Sequence, residues 1–176
     1  MCIRDSPSIR ACLKFKNITS NITIGHDGDL PARSGIGSSS SFTVGLLNAL
    51  HHLQKEPLTK EQLAQKAITV EQDLIGENVG IQDQIMAAYG GIQLITMSSD
   101  GWKTKDFPMS SEYKKYLESH IMLGFSGVSR LAEVHAKKNV DNIKEGKIDN
   151  LLLEMANSTN EAIIMLAKEK EMSIIG

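Results

Sequence analysis

Three features of the chain carry residue types whose spacing could do chemistry. The first is Gly35-Ile-Gly-Ser-Ser-Ser-Ser41, led in by Asp29-Leu-Pro-Ala-Arg-Ser34. Glycines at 35 and 37 let the backbone approach an anion with no Cβ in the way. A helix starting directly after them would present N–H groups without intrahelical partners, at the positive end of its macrodipole. Hydroxyls from Ser38 to Ser41 can donate to phosphate oxygens, and one of them can sit on a Mg²⁺. A plain helix cap needs one serine, not two glycines and a row of four serines. The other two features are the carboxylates Glu71 and Asp83, twelve residues apart. Phosphoryl transfer needs a metal ligand and a group that orients or deprotonates the attacking hydroxyl. A carboxylate serves either role, as a hard oxygen ligand for Mg²⁺ and as a hydrogen-bond acceptor. Taken alone, Glu71 also reads as a solvated helix carboxylate, and Asp83 as the N-cap of residues 84–89. The loop is what joins them into a site.

Rival motifs fit the same stretches less well. A Walker A loop needs Gly-Lys-Ser/Thr, and no lysine follows Gly37. A dinucleotide fingerprint needs a third glycine where position 40 is serine, and its acidic partner finds no clear match beyond Glu56 or Glu61. The nearest approach to a nucleophile elbow, Gly124-Phe-Ser-Gly-Val, lacks the last glycine.

The elements that must position these residues follow from periodicity and turn chemistry. Residues 8–16 predict the tail of a helix, and the alternation of Ile22 and Ile24 with Thr23 and Gly25 predicts a strand over 20–27. Phe42 to Leu53 is apolar on most sides, the pattern of a buried helix, with Gly45 and Ala49 small enough for close packing. Thr59-Lys-Glu-Gln62 fits a capping box opening a helix that carries Leu63, Ala67, Val70 and Leu74 and ends at Gly76. Val79 to Tyr89 reads as a loop with a short helix. Residues 92–97 read as a strand, with Ser99-Asp-Gly101 turning into a second. A further strand is expected over 121–125, and helices over 128–139 and 149–170. The segment 106–118 is polar and contains Pro108, and a domain boundary is expected near 110–118. This order of elements predicts an α+β protein.

Composition sets the outer limits. Of 176 residues, 41% are hydrophobic and 23% charged, as in a soluble globular protein. A net charge of -2 gives no electrostatic case for nucleic acid or an anionic membrane. No apolar run reaches about 18 residues, so no span is expected, and a cytoplasmic location is the expectation. Cys2 and Cys12 are expected to be free thiols. Asn17-Ile-Thr, Asn21-Ile-Thr and Asn157-Ser-Thr match the glycosylation pattern by chance on this reading. Residues 1–6 read as a non-native leader, and the chain as an internal piece of a longer protein.

Together these stretches resemble the GHMP kinase superfamily. Pro31-Ala-Arg-Ser-Gly-Ile-Gly-Ser-Ser-Ser40 is similar to its phosphate-loop motif Pro-x-x-x-Gly-Leu-Gly-Ser-Ser-Ala, with Ile36 for leucine. Glu71 and Gly76-Glu-Asn-Val-Gly-Ile-Gln-Asp-Gln84 look like the sugar-kinase version of the second conserved region. The long serine run, Phe-Thr-Val, Gly-x-Gln-Asp-Gln and Ala-Ala-Tyr-Gly-Gly give the strongest likeness to the heptose 7-phosphate kinases of that superfamily. The resemblance covers most of residues 8–165. It implies that Ser34, Gly35, Ile36, Gly37, Ser38, Ser39 and Ser40 wrap the phosphates of ATP, and that Ser39 and Glu71 bind Mg²⁺. Asp83 would be catalytic, facing the substrate hydroxyl. Gly80, Gln82, Ser126 and Arg130 would lie on the substrate side.

The resemblance implies a fold with a domain like ribosomal protein S5 domain 2 over residues 7–112, and part of a ferredoxin-like domain over 113–176. The implied reaction is phosphorylation of an anomeric hydroxyl, with D-glycero-D-manno-heptose 7-phosphate going to the 1,7-bisphosphate. Fucokinase-type or galactokinase-type substrates, or a nucleotide-binding relic without turnover, are the alternatives. The implied partners are ATP and a sugar phosphate, with a homodimer allowed and neither nucleic acid nor membrane involved. Two family features find no match here: the basic, sugar-contacting N-terminal segment and the Gly-rich C-terminal motif. The 176-residue chain is therefore expected to show little turnover by itself.

Overall fold

A computed structural model describes residues 6–28, 35–124, 140–171 and 173. The chain divides into two compact units; the described part of the first lies within residues 6–91, and the second takes up from residue 92.

The first unit is helical. Helix α1 (Pro7–Phe15) opens as a proline at the first helical position favours, with the Ile9 amide donating to Ser6 Oγ at 3.4 Å. Helix α2 (Ser38–Leu53) touches every other described helix of the unit. Helix α3 (Lys60–Thr69) starts with the expected capping box: Gln62 N–H donates to Thr59 Oγ1 at 3.2 Å, and Thr59 N–H to Gln62 Oε1 at 3.0 Å. It runs on into a π-helical turn, Val70–Ile75, which stops at Gly76 with φ 81°. Helix α4 (Gln82–Tyr89) follows. Ile9, Cys12 and Leu13 from α1, Val44, Leu47 and Leu50 from α2, and Leu63, Ala67 and Val70 form one core. Leu47 is wholly removed from water, a gain of roughly 1.5–3 kcal/mol for a side chain of that size.

Three expectations for this unit need correction. Residues 22–28 form no strand. Ile22 and Ile24 pack against the core, so their alternation records one-sided burial and not a hydrogen-bonded ladder. Gly45 and Ala49 are exposed, and nothing lies within 4 Å of where a Cβ on Gly45 would stand. Leu74, which continues the Ala67–Val70 seam in α-helical phase, is 42% exposed, because the widened π turn carries it off the buried face.

A polar contact links the ends of α1 and α2. Lys16 Nζ donates to Glu56 at 2.8 Å and lies 3.1 Å from Nδ1 of the buried His51. That Nδ1 is also 3.1 Å from the Glu56 carbonyl oxygen. It can accept from the lysine or donate to the carbonyl, but not both.

In the second unit β1 (Gln93–Ser98) and β2 (Gly101–Asp106) form an antiparallel hairpin, with Gln93 opposite Asp106 and Ser98 opposite Gly101. Helix α5 (Ser111–His120) lies within the polar segment that follows. Its signals are Ser110 as N-cap, accepting from Tyr113 N–H at 3.0 Å, and Tyr113 and Leu117 one turn apart and both buried. Helix α6 spans Asp149–Ala167, and the chain after it returns to α5. There Glu169 accepts from Ser110 N–H at 2.6 Å and the Lys170 carbonyl accepts from the Tyr113 hydroxyl. Residues 121–124 are irregular, with Ile121, Met122 and Leu123 exposed, and not the expected strand. The helix expected over 128–139 lies outside the described residues. Helices with one antiparallel hairpin make a mixed α and β protein. Among the described residues no helix is long and apolar enough to cross a membrane.

Candidate functional site

The Gly/Ser loop enters α2 as its composition requires. Gly35 and Gly37 have φ of 80° and 70°, the left-handed region that disfavours a Cβ. Gly37 is the N-cap of α2, and its carbonyl accepts the first helical bond, from Ser41 N–H at 2.9 Å. Among the described residues no side chain caps this helix, and no acidic residue sits in its first turn. The amides of its first turn therefore face outward at the positive end of a 16-residue helix. The approach to the loop is held beside α2 by an edge-on contact of the His26 and Phe42 rings, 4.6 Å between centroids.

The serine row splits by helical phase. Ser38 is half-buried, Ser39 exposed and Ser40 buried. Ser40 Oγ donates to Glu71 Oε2 at 2.8 Å. Gln84 Nε2 donates to the same oxygen. Glu71 is 1% exposed and stands in the π turn, a helical defect frequent at functional sites. Its backbone carbonyl accepts from Glu77 N–H at 3.0 Å. Among the described residues Glu71 Oε1 has no hydrogen-bond partner, and neither do the buried Thr43 Oγ1 and Gln84 Oε1. Cys12 packs near this carboxylate: burial first, and then the Glu71 charge, push its thiol up to about 12.

The loop from Gly76 to Ile81 carries the chain from Glu71 to Asp83. Gln72 Nε2 pins it by donating to the Val79 carbonyl at 2.8 Å. A Cβ on Gly80 would collide with the Gln82 amide. Asp83 then falls in the first turn of α4, whose N-cap is Ile81, so it does not cap that helix itself. Its carboxylate lies against the loop: a Cβ on Gly37 would stand 3.1 Å from Asp83 Cγ and from Oδ2.

The fold thus gathers Gly37, Ser40, Glu71 and Asp83 about the N-terminus of α2. The serine that meets Glu71 is Ser40; Ser39 is exposed one position earlier, and Ile36 is 41% exposed. Gly80 and Gln82 are exposed beside Asp83 in sequence. Ser34, Ser126 and Arg130 lie outside the described residues. Gln84 and Thr43 were not singled out by sequence. Gln84 sits inside the quoted Gly-x-Gln-Asp-Gln run, and its one signal is helical phase: Gln82 and Asp83 face out while Gln84 and Ile85 are buried.

The donor set fits a hard divalent cation. A buried carboxylate oxygen left bare costs more than the ~1–3 kcal/mol of an unsatisfied neutral group, and Glu71 Oε1 is such an atom. Among the described residues no three His, Cys, Asp or Glu side chains gather. A single buried carboxylate beside serine hydroxyls is a hard-oxygen set of the kind Mg²⁺ takes while completing its shell with water and substrate phosphates.

Residues 8–91 match the family described as GHMP kinases N terminal domain. The chain is 26% identical over 140 residues to D-glycero-alpha-D-manno-heptose 7-phosphate kinase of Campylobacter jejuni, covering 78% of this chain and 40% of that protein. It is 44% identical over 66 residues to the galactokinase of Pyrococcus furiosus, which covers 36% of this chain and 18% of that one. Identity to the bifunctional fucokinase/GDP-fucose pyrophosphorylase of Arabidopsis thaliana is 30% over 147 residues, 77% of this chain and 14% of that one. The chain spans 40% or less of the length of each of these relatives. No solved structure matches it significantly.

Proposed function

We propose, from the match of residues 8–91 to the GHMP kinases N terminal domain, that the protein belongs to an ATP-dependent kinase that phosphorylates the anomeric hydroxyl of a sugar phosphate. The observation that carries this reading is the meeting of Glu71 and Asp83 at the uncapped, glycine-led N-terminus of α2. A loop of this form cradles the phosphates of ATP: Gly35 and Gly37 permit close approach, and the amides and hydroxyls from Ser34 to Ser40 donate to phosphate oxygens. Glu71, with the hydroxyl of Ser39 or Ser40, would hold Mg²⁺. When bound, that ion offsets charge on the phosphate oxygens. Asp83, exposed at the loop, accepts a hydrogen bond from the sugar hydroxyl and aligns it for in-line attack. Orientation matters more than basicity, because the hydroxyl proton leaves late in a loose transition state.

The best-supported acceptor is D-glycero-D-manno-heptose 7-phosphate, giving the 1,7-bisphosphate, on the strength of the Campylobacter relative. The galactokinase and fucokinase likenesses support other sugars within the same chemistry. Gly80 and Gln82, with Ser126 and Arg130, are the proposed substrate-side residues, and Arg130 would meet the sugar phosphate as a bidentate donor. The proposed whole-protein fold places an S5-like domain over residues 7–112 and a ferredoxin-like domain after it.

The test offers the parent enzyme ATP·Mg²⁺ with the heptose 7-phosphate, galactose or fucose and follows ADP by a coupled assay. Asp83→Ala should abolish phosphoryl transfer while ATP binding stays within a few-fold of wild type. Turnover within tenfold of wild type refutes the role given to Asp83. ATP binding without ADP release from any sugar favours a nucleotide-binding protein without turnover.

A further inference from the structure

We propose that Gln84 is a positioning residue for the cation-binding carboxylate, holding Glu71 so that Oε1 alone is offered to the metal; this rests on the phosphotransferase reading above. Gln84 and Glu71 are 0% and 1% exposed. They come from different elements, α4 and the π turn, thirteen residues apart. Gln84 Nε2 and Ser40 Oγ converge on one oxygen of the carboxylate, Oε2. Two donors from two helices fix both the position and the plane of a side chain on a flexible stem. Oε2 has its lone pairs engaged, whereas Oε1 has no partner among the described residues and keeps its full capacity as a ligand.

A glutamine that merely filled the core would have both ends of its amide satisfied. Among the described residues only the end facing Glu71 is bonded, and Gln84 Oε1 has no partner. Turning the amide over would set its oxygen against the carboxylate, acceptor against acceptor, so the bond to Glu71 dictates the orientation. A shorter side chain at 84 loses the reach from α4. An apolar one keeps the volume but removes the donor. Groups of this kind, which hold a metal ligand through a hydrogen bond, set metal affinity as well as ligand orientation.

The full chain is titrated with Mn²⁺, followed by the electron paramagnetic resonance of the free ion, with and without ATP. ATP affinity in EDTA and circular dichroism are measured alongside. Gln84→Leu should weaken Mn²⁺ binding in the presence of ATP by about 10–100-fold. ATP affinity in EDTA should change less than about twofold, because the loop amides are untouched. Mn²⁺ affinity equal to wild type, in a chain where Glu71→Gln abolishes it, overturns the role of Gln84 and leaves the cation site standing. Equal loss of Mn²⁺ and metal-free ATP binding makes Gln84 a core residue and also overturns it. Where Leu at 84 unfolds the chain, Gln84→Met, equally long and donor-free, takes its place; unfolding by both variants counts against the proposal. No effect of Glu71→Gln on Mn²⁺ removes the cation reading itself, a failure separate from that of Gln84.

Discussion

Gly37→Ala tests whether Asp83 stands where the structure puts it. Two costs are expected. The backbone at 37 is left-handed, φ 70°, which costs an alanine about 1–2 kcal/mol. The new Cβ would also stand 3.1 Å from Asp83 Cγ and Oδ2, inside the ~3.5–4.0 Å optimum for such atoms, so the carboxylate must retreat by a few tenths of an ångström. Gly35→Ala separates the two. Its φ is 80°, yet no described residue lies within 4 Å of its Cβ position, so it carries the backbone cost alone. At about 2–4 °C per kcal/mol for a chain of this size, Gly35→Ala should lower Tm by about 2–8 °C, and Gly37→Ala by more. The steric part is isolated by a cycle with Asp83→Ala, which by itself removes an exposed side chain and should cost within about 0.5 kcal/mol. Urea melts followed by circular dichroism give the four stabilities. With Asp83 gone, Gly37→Ala should cost no more than Gly35→Ala, a coupling of at least about 0.5 kcal/mol. An unchanged cost for Gly37→Ala in the two backgrounds refutes the contact, and with it the placement of Asp83 at the phosphate loop.

The two ends of the pH profile give further tests. Burial first, then the neighbouring Lys16 ammonium, hold the His51 imidazole below its usual range, with Lys66 adding to the same effect and Glu56 opposing it. Folded His51 is neutral while the unfolded chain takes up a proton near pH ~6.5, so its contribution is complete above that value and is lost as pH falls below it. The urea midpoint should drop between pH 7.5 and 5 more steeply in wild type than in His51→Gln; equal slopes contradict this. At the alkaline end, the Cys12 thiol stays protonated to about 12 when folded but ionises near ~8.5 when unfolded. Its contribution is whole below ~8.5 and declines as pH rises toward 12. Iodoacetamide at pH 8 should leave Cys12 unmodified in native chain and alkylate it in urea, as read by peptide mass spectrometry; ready labelling of native chain is the contrary result.

The local grammar of the chain was legible from its residues. The capping box at Thr59 and Gln62, the stop at Gly76, the hairpin around Ser99-Asp100 and the glycine-led start of α2 all formed as their types require. Each depends on backbone preferences acting within a few residues. The misread elements depend on what lies opposite. Residues 22–28 alternate like a strand but have apolar packing and no ladder, and residues 121–124 form an apolar run that stays exposed. Helix α5 hid inside a polar segment because only Tyr113 and Leu117 of its ten residues turn inward. At the candidate site the family likeness brought forward Glu71, Asp83 and the loop. It did not bring forward Gln84, because a glutamine has no chemistry to advertise until a fold sets its amide against a buried carboxylate. The shift of the Glu71 partnership to Ser40 was hidden for the same reason: adjacent serines look alike in sequence, and helical phase alone decides which faces in.

The π turn has a consequence for time as well as for geometry. Glu71 is tethered at its main chain by the Glu77 amide and at its side chain by Ser40 and Gln84. A free glutamate side chain surrenders up to about 2 kcal/mol of rotamer entropy when it is fixed. At Glu71 that loss falls within folding, so the cation proposed for Oε1 would meet a ligand with no rotamers left to search. The pace of its capture would then be set by how quickly the ion sheds its own water.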